Sequence, residues 1–350
     1  MTLQRGATIG ILGDGQLGRM LAQAAQRRGF KVHGFGQDRY GPLGQVTPYF
    51  TLAGFDDGAA LTAFAEACDV VTSEFENVPL AALELTGCKP GAGIFALAQD
   101  RLKEKQAAAK IGLPTAPFFA VESLEQLQAV LAQVGGEGIL KTRRMGYDGK
   151  GQWRFGPDND VAAIWEETPK ADLILEGLVD FAFETSALVA RNAKGQVVTF
   201  PCGENVHRDG ILYQSIVPGQ VTPEVEATAN TWAKSLVNDL ALEGLLALEF
   251  FVLKDGSLAF NEMAPRPHNS GHWTIEACDQ SQFDMAVSAI LNEDLRTPQQ
   301  FASATMTNVL GNDIQNPISG PNTYWHDYGK AEPKAGRKMG HIAQLSAEGF

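Results

Sequence analysis

Residues 245–272 read LLALEFFVLKDGSLAFNEMAPRPHNSGH, and this stretch predicts both a fold element and a site. Two apolar segments, around 245–253 and 257–261, flank Lys254, Asp255 and Gly256, the composition of a tight hairpin turn. Glu249 lies inside the first strand and Glu262 closes the second. With Asp255 and Gly256 at the turn, the two carboxylates come roughly level across the ladder. Acids held that close repel unless a cation lies between them. Hard-cation sites hold Mg²⁺ by one or two carboxylates and leave the other positions to water and substrate phosphates. PRPHNSGH then adds Arg266, His268, Asn269 and His272 beside the predicted metal. For this stretch alone, a surface hairpin with two solvated glutamates is the simpler alternative.

The chain has 350 residues, more than one ordinary domain, and 44% of them are hydrophobic, enough for a sizeable core. No apolar run approaches the ~20 residues that span a bilayer, and MTLQRGATIGILG reads as a first strand rather than a cleaved leader. The expected setting is the cytoplasm. Cys68, Cys88, Cys202 and Cys278 are scattered, without the spacing of a zinc site or the density of a disulfide framework. A net charge of −13 and a pI near 4.9 oppose nucleic-acid and anionic-membrane partners. An anionic ligand therefore needs basic residues gathered locally against that field.

Residues 7–12, ATIGIL, form a β-prone run, and Gly13-Asp14-Gly15-Gln16-Leu17-Gly18 opens the amphipathic segment RMLAQAAQRRG, with Gly29 as C-cap. A second strand, KVHGFGQ, runs to Asp38, and a third, DVVTSEF, ends at Glu74. This is a G-x-G-x-x-G fingerprint with an acid where a dinucleotide ribose would sit, and by itself it leaves a nicotinamide cofactor open. Its glycines provide only a tight turn and close approach to some phosphate at a helix N-terminus. Glu74 and Glu76 lie at the carboxyl end of the third strand, where open α/β sheets bind ligands, although Glu76 also suits a capping role before Pro79.

ALAQDRLKEKQAAAKIGLP reads as one helix stopped by Gly112 and Pro114, with Arg101, Lys103 and Lys105 on a solvated face. A short α/β unit follows: strand APFFAV, helix SLEQLQAVLAQVGG with Ser123 as N-cap, and strand GILKTRR, where Lys141 and Arg143 share a face. MGYDGKGQ at 145–152 spaces glycines so that backbone N–H groups can converge on phosphate oxygens, with Lys150 supplying charge. The order of a Walker A loop is absent, and a flexible hairpin is the alternative. Next come a strand ending at Glu176-Gly177-Leu178-Val179 and an alternating hairpin that Glu184 opens. Helix TPEVEATANTWAKSLVNDLAL, opened by Thr222 and Pro223, leads into 245–272. A helix over roughly 276–292, a linker over 293–304 and strands between Gly, Pro and Asn turns complete the chain. Lys330, Arg337 and Lys338 gather positive charge near its end.

Lys141, GYDGKGQ, EGLV, Glu184, Glu249 and Asn261-Glu262, in this order, resemble the ATP-grasp superfamily. Within it, GDGQLGRM, SEFENVP, LKTRRMGYDGKGQ, FNEMAPRPHNSGHWTIEAC and GKAEPKAGRKMGHI resemble the N5-carboxyaminoimidazole ribonucleotide synthase family over residues 10–342. The resemblance implies a mixed α/β and α+β fold: a Rossmann-like domain (1–96), a small α/β lid region (97–182) and a larger antiparallel-sheet central and C-terminal domain (183–350). It implies ATP on Arg101, Lys141, Gly146, Tyr147, Asp148, Gly149, Lys150, Gly151, Gln152, Glu176, Gly177, Leu178, Val179, Glu184 and His207, with Asn261 beside the metal acid Glu262. Mg²⁺ falls to Glu249 and Glu262. Gln16, Leu17, Glu74 and Asn269 are implied for the ribonucleotide, with Lys330, Arg337 and Lys338 closing on its 5′-phosphate. Arg266 and His268 are the candidates for bicarbonate and the acyl phosphate, and Lys150 and Asp148 join them as catalytic residues. Gly177 and Leu178 depart from the bulkier pair expected before Val179, and Met145 stands where the resemblance expects glycine.

The implied reaction joins ATP, bicarbonate and aminoimidazole ribonucleotide, in purine biosynthesis, to give the N5-carbamate, ADP and phosphate; a homodimer is the implied assembly. Bicarbonate is a poor electrophile, so its oxygen first attacks the γ-phosphoryl group, with Lys141, Lys150 and Mg²⁺ neutralising the developing charge. The resulting carboxyphosphate hydrolyses readily, so a closed lid must exclude water. Three alternatives stand beside this one: a formate-dependent glycinamide ribonucleotide transformylase, an NAD oxidoreductase built on GDGQLG, and a non-catalytic ATP-binding regulator. GYDGKGQ and HNSGHW favour the carboxylating family over the transformylase, and the full set of acids and basic residues disfavours the regulator.

Overall fold

Three sheets divide the chain in the computed structural model, which describes residues 2–146 and 150–346. The first is parallel. β1 (Thr8–Leu12), α1 (Gln16–Arg27), β2 (Lys31–Gly36), β3 (Tyr49–Leu52), α2 (Gly58–Glu66) and β4 (Val70–Ser73) build it in the order β3-β2-β1-β4. This is the Rossmann-like opening, with one strand more than the sequence shows. β3 is an edge strand of four residues whose ends, Tyr49 and Leu52, are exposed, too short to display a period. After α3 (Leu80–Leu85) and α4 (Ala92–Ala98), α5 (Arg101–Lys110) begins a new helix where one continuous helix was expected. Asp100 makes the break: its backbone is extended, and its carboxylate accepts the N–H groups of Leu102 and Lys103 as an N-cap.

The second sheet is antiparallel and small. β5 (Phe118–Val121), α6 (Leu124–Gln133), β6 (Gly138–Thr142), β7 (Gln152–Phe155), α7 (Val161–Glu166) and β8 (Leu173–Gly177) assemble in the strand order β5-β8-β6-β7. Ser123 caps α6 as expected, and Leu127 and Leu131 pack on Val121, Leu140, Phe155 and Leu175.

β9 (Phe181–Arg191), β10 (Val197–Thr199), β11 (Gly203–Arg208), β12 (Ile211–Val217), α8 (Pro223–Asp239), β13 (Gly244–Leu253), β14 (Leu258–Ala264), α9 (Thr274–Ala277), α10 (Gln282–Ile290), β15 (Ser303–Leu310), β16 (Thr323–Asp327) and β17 (Lys338–Ser346) form the rest. Their large antiparallel sheet runs β14-β13-β9-β11-β12-β15-β17-β16, with β10 on β9. Along β13, Leu246 and Leu248 join the core under α8, while Leu245 and Ala247 join the core shared by α10 and α1. A strand covered on both faces reads as a continuous apolar run, which is why 245–253 stood out. The single helix expected over 276–292 is two, because Ser281 and Asp284 form a capping box that starts α10 afresh. Cys88, Cys202 and Cys278 are buried free thiols, whereas Cys68 is half-buried. Among the described residues no helix is long and apolar enough to cross a membrane.

Candidate active site

From its turn inward, the β13–β14 ladder pairs Val252 with Leu258, Phe251 with Ala259 and Phe250 with Phe260; it then slips by one residue and sets Glu249 opposite Glu262. Asn261 is the extra residue of this β-bulge. On the unshifted register Asn261 would face Glu249, and Glu262 would point to the other side of the sheet. The bulge therefore puts the two carboxylates on one face. Burial lifts the Glu249 carboxyl well above its usual range, and the charge of Glu262 lifts it further. Burial also pushes Glu262 up, but the charge of Arg101 and its hydrogen bond outweigh this and hold Glu262 ionised.

The surrounding cations come from α5 and β6. Arg101 Nη1 donates to Glu262 Oε2 at 2.8 Å and Nη2 to the Gly146 carbonyl at 3.0 Å, so one guanidinium joins the acid pair to the glycine-rich loop. Lys141 Nζ donates to Glu176 Oε2 at 2.9 Å, and Lys105 Nζ lies 3.3 Å from the same oxygen. Lys105, only 1% exposed, also donates to the Asn261 carbonyl at 2.9 Å. Burial raises Glu176, yet the two ammonium groups outweigh it and keep the carboxylate charged. Its Oε1 is buried with no hydrogen-bond partner among the described residues, an acceptor open to a ligand N–H. The solvated face expected of Arg101, Lys103 and Lys105 holds for Lys103 alone. Arg101 and Lys105, four residues apart, lie on the inward face with Glu104.

Glu184 sits within β9, not at the start of a hairpin, and its Oε2 is 2.5 Å from His207 Nδ1. With Glu249 these two residues offer three ligand atoms within 4.8 Å of one another. On another side of Glu249, His268 Nε2 lies 3.3 Å from Oε1. His268 Nδ1 accepts the Ser270 N–H at 3.3 Å, which places the proton of the neutral ring on Nε2. Burial, with Arg266 beside it, pushes His268 down to about 3, so of the two expected anion binders only Arg266 is a cation at neutral pH. Arg266 Nη2 donates to Glu76 Oε2 at 2.8 Å. Glu76 thus partners Arg266, and it does not cap α3: Pro79 stands at that N-cap without a side-chain bond.

Glu74 turns inward and accepts the N–H groups of Gly15 at 2.8 Å and Gly18 at 3.2 Å. The chain's own carboxylate fills the anion cradle where a dinucleotide phosphate would lie. Any ribonucleotide contact by Glu74 is made by a group already holding two amides. Gly13, at φ +121, has no alternative here, since a Cβ would fall 2.4 Å from Glu74 Oε1. Leu17 is a core residue at 7% exposure, so only its backbone can meet a ligand, while Gln16 is half-buried. Asn269 and Asn308 exchange amide hydrogen bonds at 2.9 and 2.6 Å. Lys330 Nζ donates to the Lys338 carbonyl at 2.6 Å, and the Lys338 charge is felt at Glu249, His207 and His268. Gln45 bonds the Gly329 carbonyl at 2.6 Å and accepts from Arg19 at 2.8 Å, tying this C-terminal segment to the first domain. Arg337 is exposed, its Nη1 on the Glu332 carbonyl at 2.9 Å.

In the glycine-rich loop Met145 is exposed and has φ +62, the left-handed backbone that explains why glycine is expected there. Gly151 has φ +66, and a Cβ on it would lie 2.6 Å from Thr142 Oγ1. Gln152 pairs with Lys141 across β6–β7, and Lys150 is exposed. Tyr147, Asp148 and Gly149 lie outside the described residues. Gly177 N–H donates to the Pro117 carbonyl at 2.8 Å, and Leu178 and Val179 follow half-buried.

Residues 6–95 match the ribonucleotide synthetase preATP-grasp domain, 106–283 the ATP-grasp domain and 304–348 the phosphoribosylaminoimidazole carboxylase C-terminal domain. The chain is 43% identical over 353 residues to the N5-carboxyaminoimidazole ribonucleotide synthase of Brucella melitensis, covering 98% of each. It is 37% identical to that of Bacillus subtilis, covering 96% of this chain and 91% of the relative. Among solved structures it is similar to an ADP complex of an N5-carboxyaminoimidazole ribonucleotide synthetase, at 39% identity and a TM-score of 0.95 over 99% of this chain and 94% of that one. The Aspergillus clavatus enzyme in complex with ADP and 5-aminoimidazole ribonucleotide matches at 29% identity and a TM-score of 0.91, covering 98% and 94%.

Proposed function

This chain belongs to the N5-carboxyaminoimidazole ribonucleotide synthase family of the ATP-grasp superfamily, and on that premise we propose that it uses ATP to join bicarbonate to the amine of 5-aminoimidazole ribonucleotide in purine biosynthesis. The observation that carries the reading is the bulged acid pair Glu249 and Glu262, with Arg101 at Glu262 and His268 at Glu249. ATP lies against Lys141, Arg101 and the 146–152 loop, with the adenine toward Glu176 to Val179. Glu249 and Glu262 offer hard-oxygen donors that fit Mg²⁺, and the crowding of the pair is what a dication relieves, while Glu184 and His207 lie within ligand reach of Glu249. When bound, Mg²⁺ supplies positive charge at the transferring phosphate.

Bicarbonate oxygen attacks the γ-phosphorus and ADP leaves, while Arg101 and Lys141 neutralise charge on the phosphoryl oxygens, with Lys150 and Asp148 assigned to the same step. Arg266, held by Glu76, and the Nε2–H of His268 bind the carboxyphosphate so formed. The ribonucleotide amine attacks the carboxyl carbon; phosphate departs with one oxygen from bicarbonate, and the nitrogen loses a proton. Gln16, the backbone at Leu17, Glu74 and Asn269 hold the ribonucleotide, with Lys330, Lys338 and Arg337 toward its 5′-phosphate. The reading also takes the division at 96/97 and 182/183, a homodimer and a cytoplasmic setting, supported by the resemblance. Phosphate release tests it: the rate should depend on both bicarbonate and aminoimidazole ribonucleotide, and release driven instead by formate with glycinamide ribonucleotide would place the chain with the transformylases.

A further inference from the structure

β14 is an edge strand, and its outward backbone groups meet protein rather than solvent. Phe260 N–H donates to the Pro114 carbonyl at 2.7 Å, the Asn261 carbonyl accepts from Lys105 Nζ at 2.9 Å, and Met263 N–H donates to Glu104 at 3.1 Å. In a regular strand the outward N–H groups recur every second residue. Here they fall at 260 and 263, so these partners fit only the shifted register. Lys105 contacts the carbonyl of Asn261, the one residue of this ladder segment left without a partner on β13.

From this geometry we infer that Lys105 is a positioning residue for the acid pair: its ammonium pins the bulge, and the bulge turns Glu262 onto the face of Glu249. The same ammonium lies 3.3 Å from Glu176 Oε2, which Lys141 also holds at 2.9 Å, and 6.0 Å from the centre of the Phe260 ring. One buried cation thereby ties the nucleotide strand β8 to the acid strand β14. Without it the Asn261 carbonyl loses its donor, and of the outward backbone bonds beyond the slip only the Met263 N–H on Glu104 still holds the shifted register against the one in which Asn261 faces Glu249. The inference rests on the reading that the acid pair holds a divalent cation with the nucleotide.

Lys105→Met keeps the length of the side chain and removes its charge. With Mn²⁺ as a paramagnetic probe and ADP present, electron paramagnetic resonance should show Mn²⁺ affinity falling ~10–100-fold, the size seen when groups that orient metal ligands are removed. The KM for aminoimidazole ribonucleotide should change less than twofold. Lys105→Arg should recover most of the Mn²⁺ affinity, and Lys103→Ala, exposed on the same helix, should leave it unchanged. Mn²⁺ affinity in Lys105→Met within twofold of wild type, or equal losses for Mn²⁺, ADP and ribonucleotide, would overturn the positioning role. Where Lys105→Met yields too little folded protein, the same titration on Lys105→Leu, which also lacks a donor, reads the same quantity with the same two outcomes. A wild-type protein that binds no Mn²⁺ with ADP would instead overturn the metal reading itself, an outcome distinguishable because it needs no variant.

Discussion

α5 and α6 are both ten-residue helices with a side-chain N-cap, and they bury opposite kinds of surface. α6 buries Leu127 and Leu131, whereas α5 buries Glu104, Lys105 and Ala108, with Arg101 turned the same way. The first helix of the pair lies along the acid strand and the second backs the small sheet. A buried leucine holds its neighbours by area and shape, without direction. A buried ammonium or guanidinium must be met by named acceptors, and so it fixes which carbonyl and which carboxylate lie where. α5 therefore contributes geometry to the site, and α6 contributes stability to the small sheet that it covers.

Substitutions on the two sides should therefore separate cleanly. The largest effect is expected at the strand that α5 faces: Glu262→Gln should lower kcat roughly 10²–10³-fold, the usual cost of one transition-state charge contact, in a protein that remains folded. Near-normal turnover at saturating Mg²⁺ would break the comparison. Leu127→Ala on α6 should do the reverse, costing about 2–3 kcal/mol of stability in denaturant titrations and leaving the KM values of the folded enzyme within twofold. A selective loss of Mg²⁺ or ATP affinity in that variant would show that the lid core also sets site geometry.

Asp100→Asn sharpens the contrast at the cap of α5. Asp100 is fully buried and bonds Arg143 at 3.0 and 2.6 Å. Burial raises its carboxyl, but Arg143 and the helix N–H groups outweigh this, so its folded value lies below the ordinary range. The stability it adds is present above the unfolded value, ~3.9, and is lost as pH falls through the folded value. Asparagine keeps the cap and removes the charge, so the variant should be about 1–2 kcal/mol less stable at pH 7, with the gap closing as pH falls from the unfolded value through the folded one. A gap that persists unchanged through that range would assign the effect to packing. The smallest effect is expected at Arg337, which is exposed: Arg337→Ala should raise the KM for aminoimidazole ribonucleotide several-fold more than that for ATP, and equal shifts would remove it from the 5′-phosphate.

The same contrast explains what could be read in advance. The apolar run 245–253, the Asp-Gly turn, the Ser123 cap and the Thr222-Pro223 start are local patterns, and each is where the residues implied it. β3 escaped because four half-exposed residues carry no period, and the breaks at Asp100 and Ser281 escaped because a cap inside a helix-prone run is a matter of competing hydrogen bonds. Lys105 looked solvated because charge on a helix signals water until a partner is known, and its partners are residues 71 and 156 positions away in the chain, Glu176 and Asn261. Spacing could place Glu249 and Glu262 only roughly level; the slip at Asn261 that puts them on one face is tertiary. The inward turn of Glu74 onto Gly15 and Gly18 was hidden for the same reason, since a glycine fingerprint does not say whose anion fills it.

In the proposed reaction bicarbonate is activated by phosphoryl transfer before the amine attacks. That order is tested most directly by running the reaction with ¹⁸O-labelled bicarbonate, ATP and aminoimidazole ribonucleotide and following the label by mass spectrometry. One ¹⁸O atom is expected in each phosphate released, with the remaining label in an acid-labile carbamate on the ribonucleotide. Phosphate free of ¹⁸O while the carbamate forms would mean that water, not bicarbonate, took the phosphoryl group, and would contradict that order.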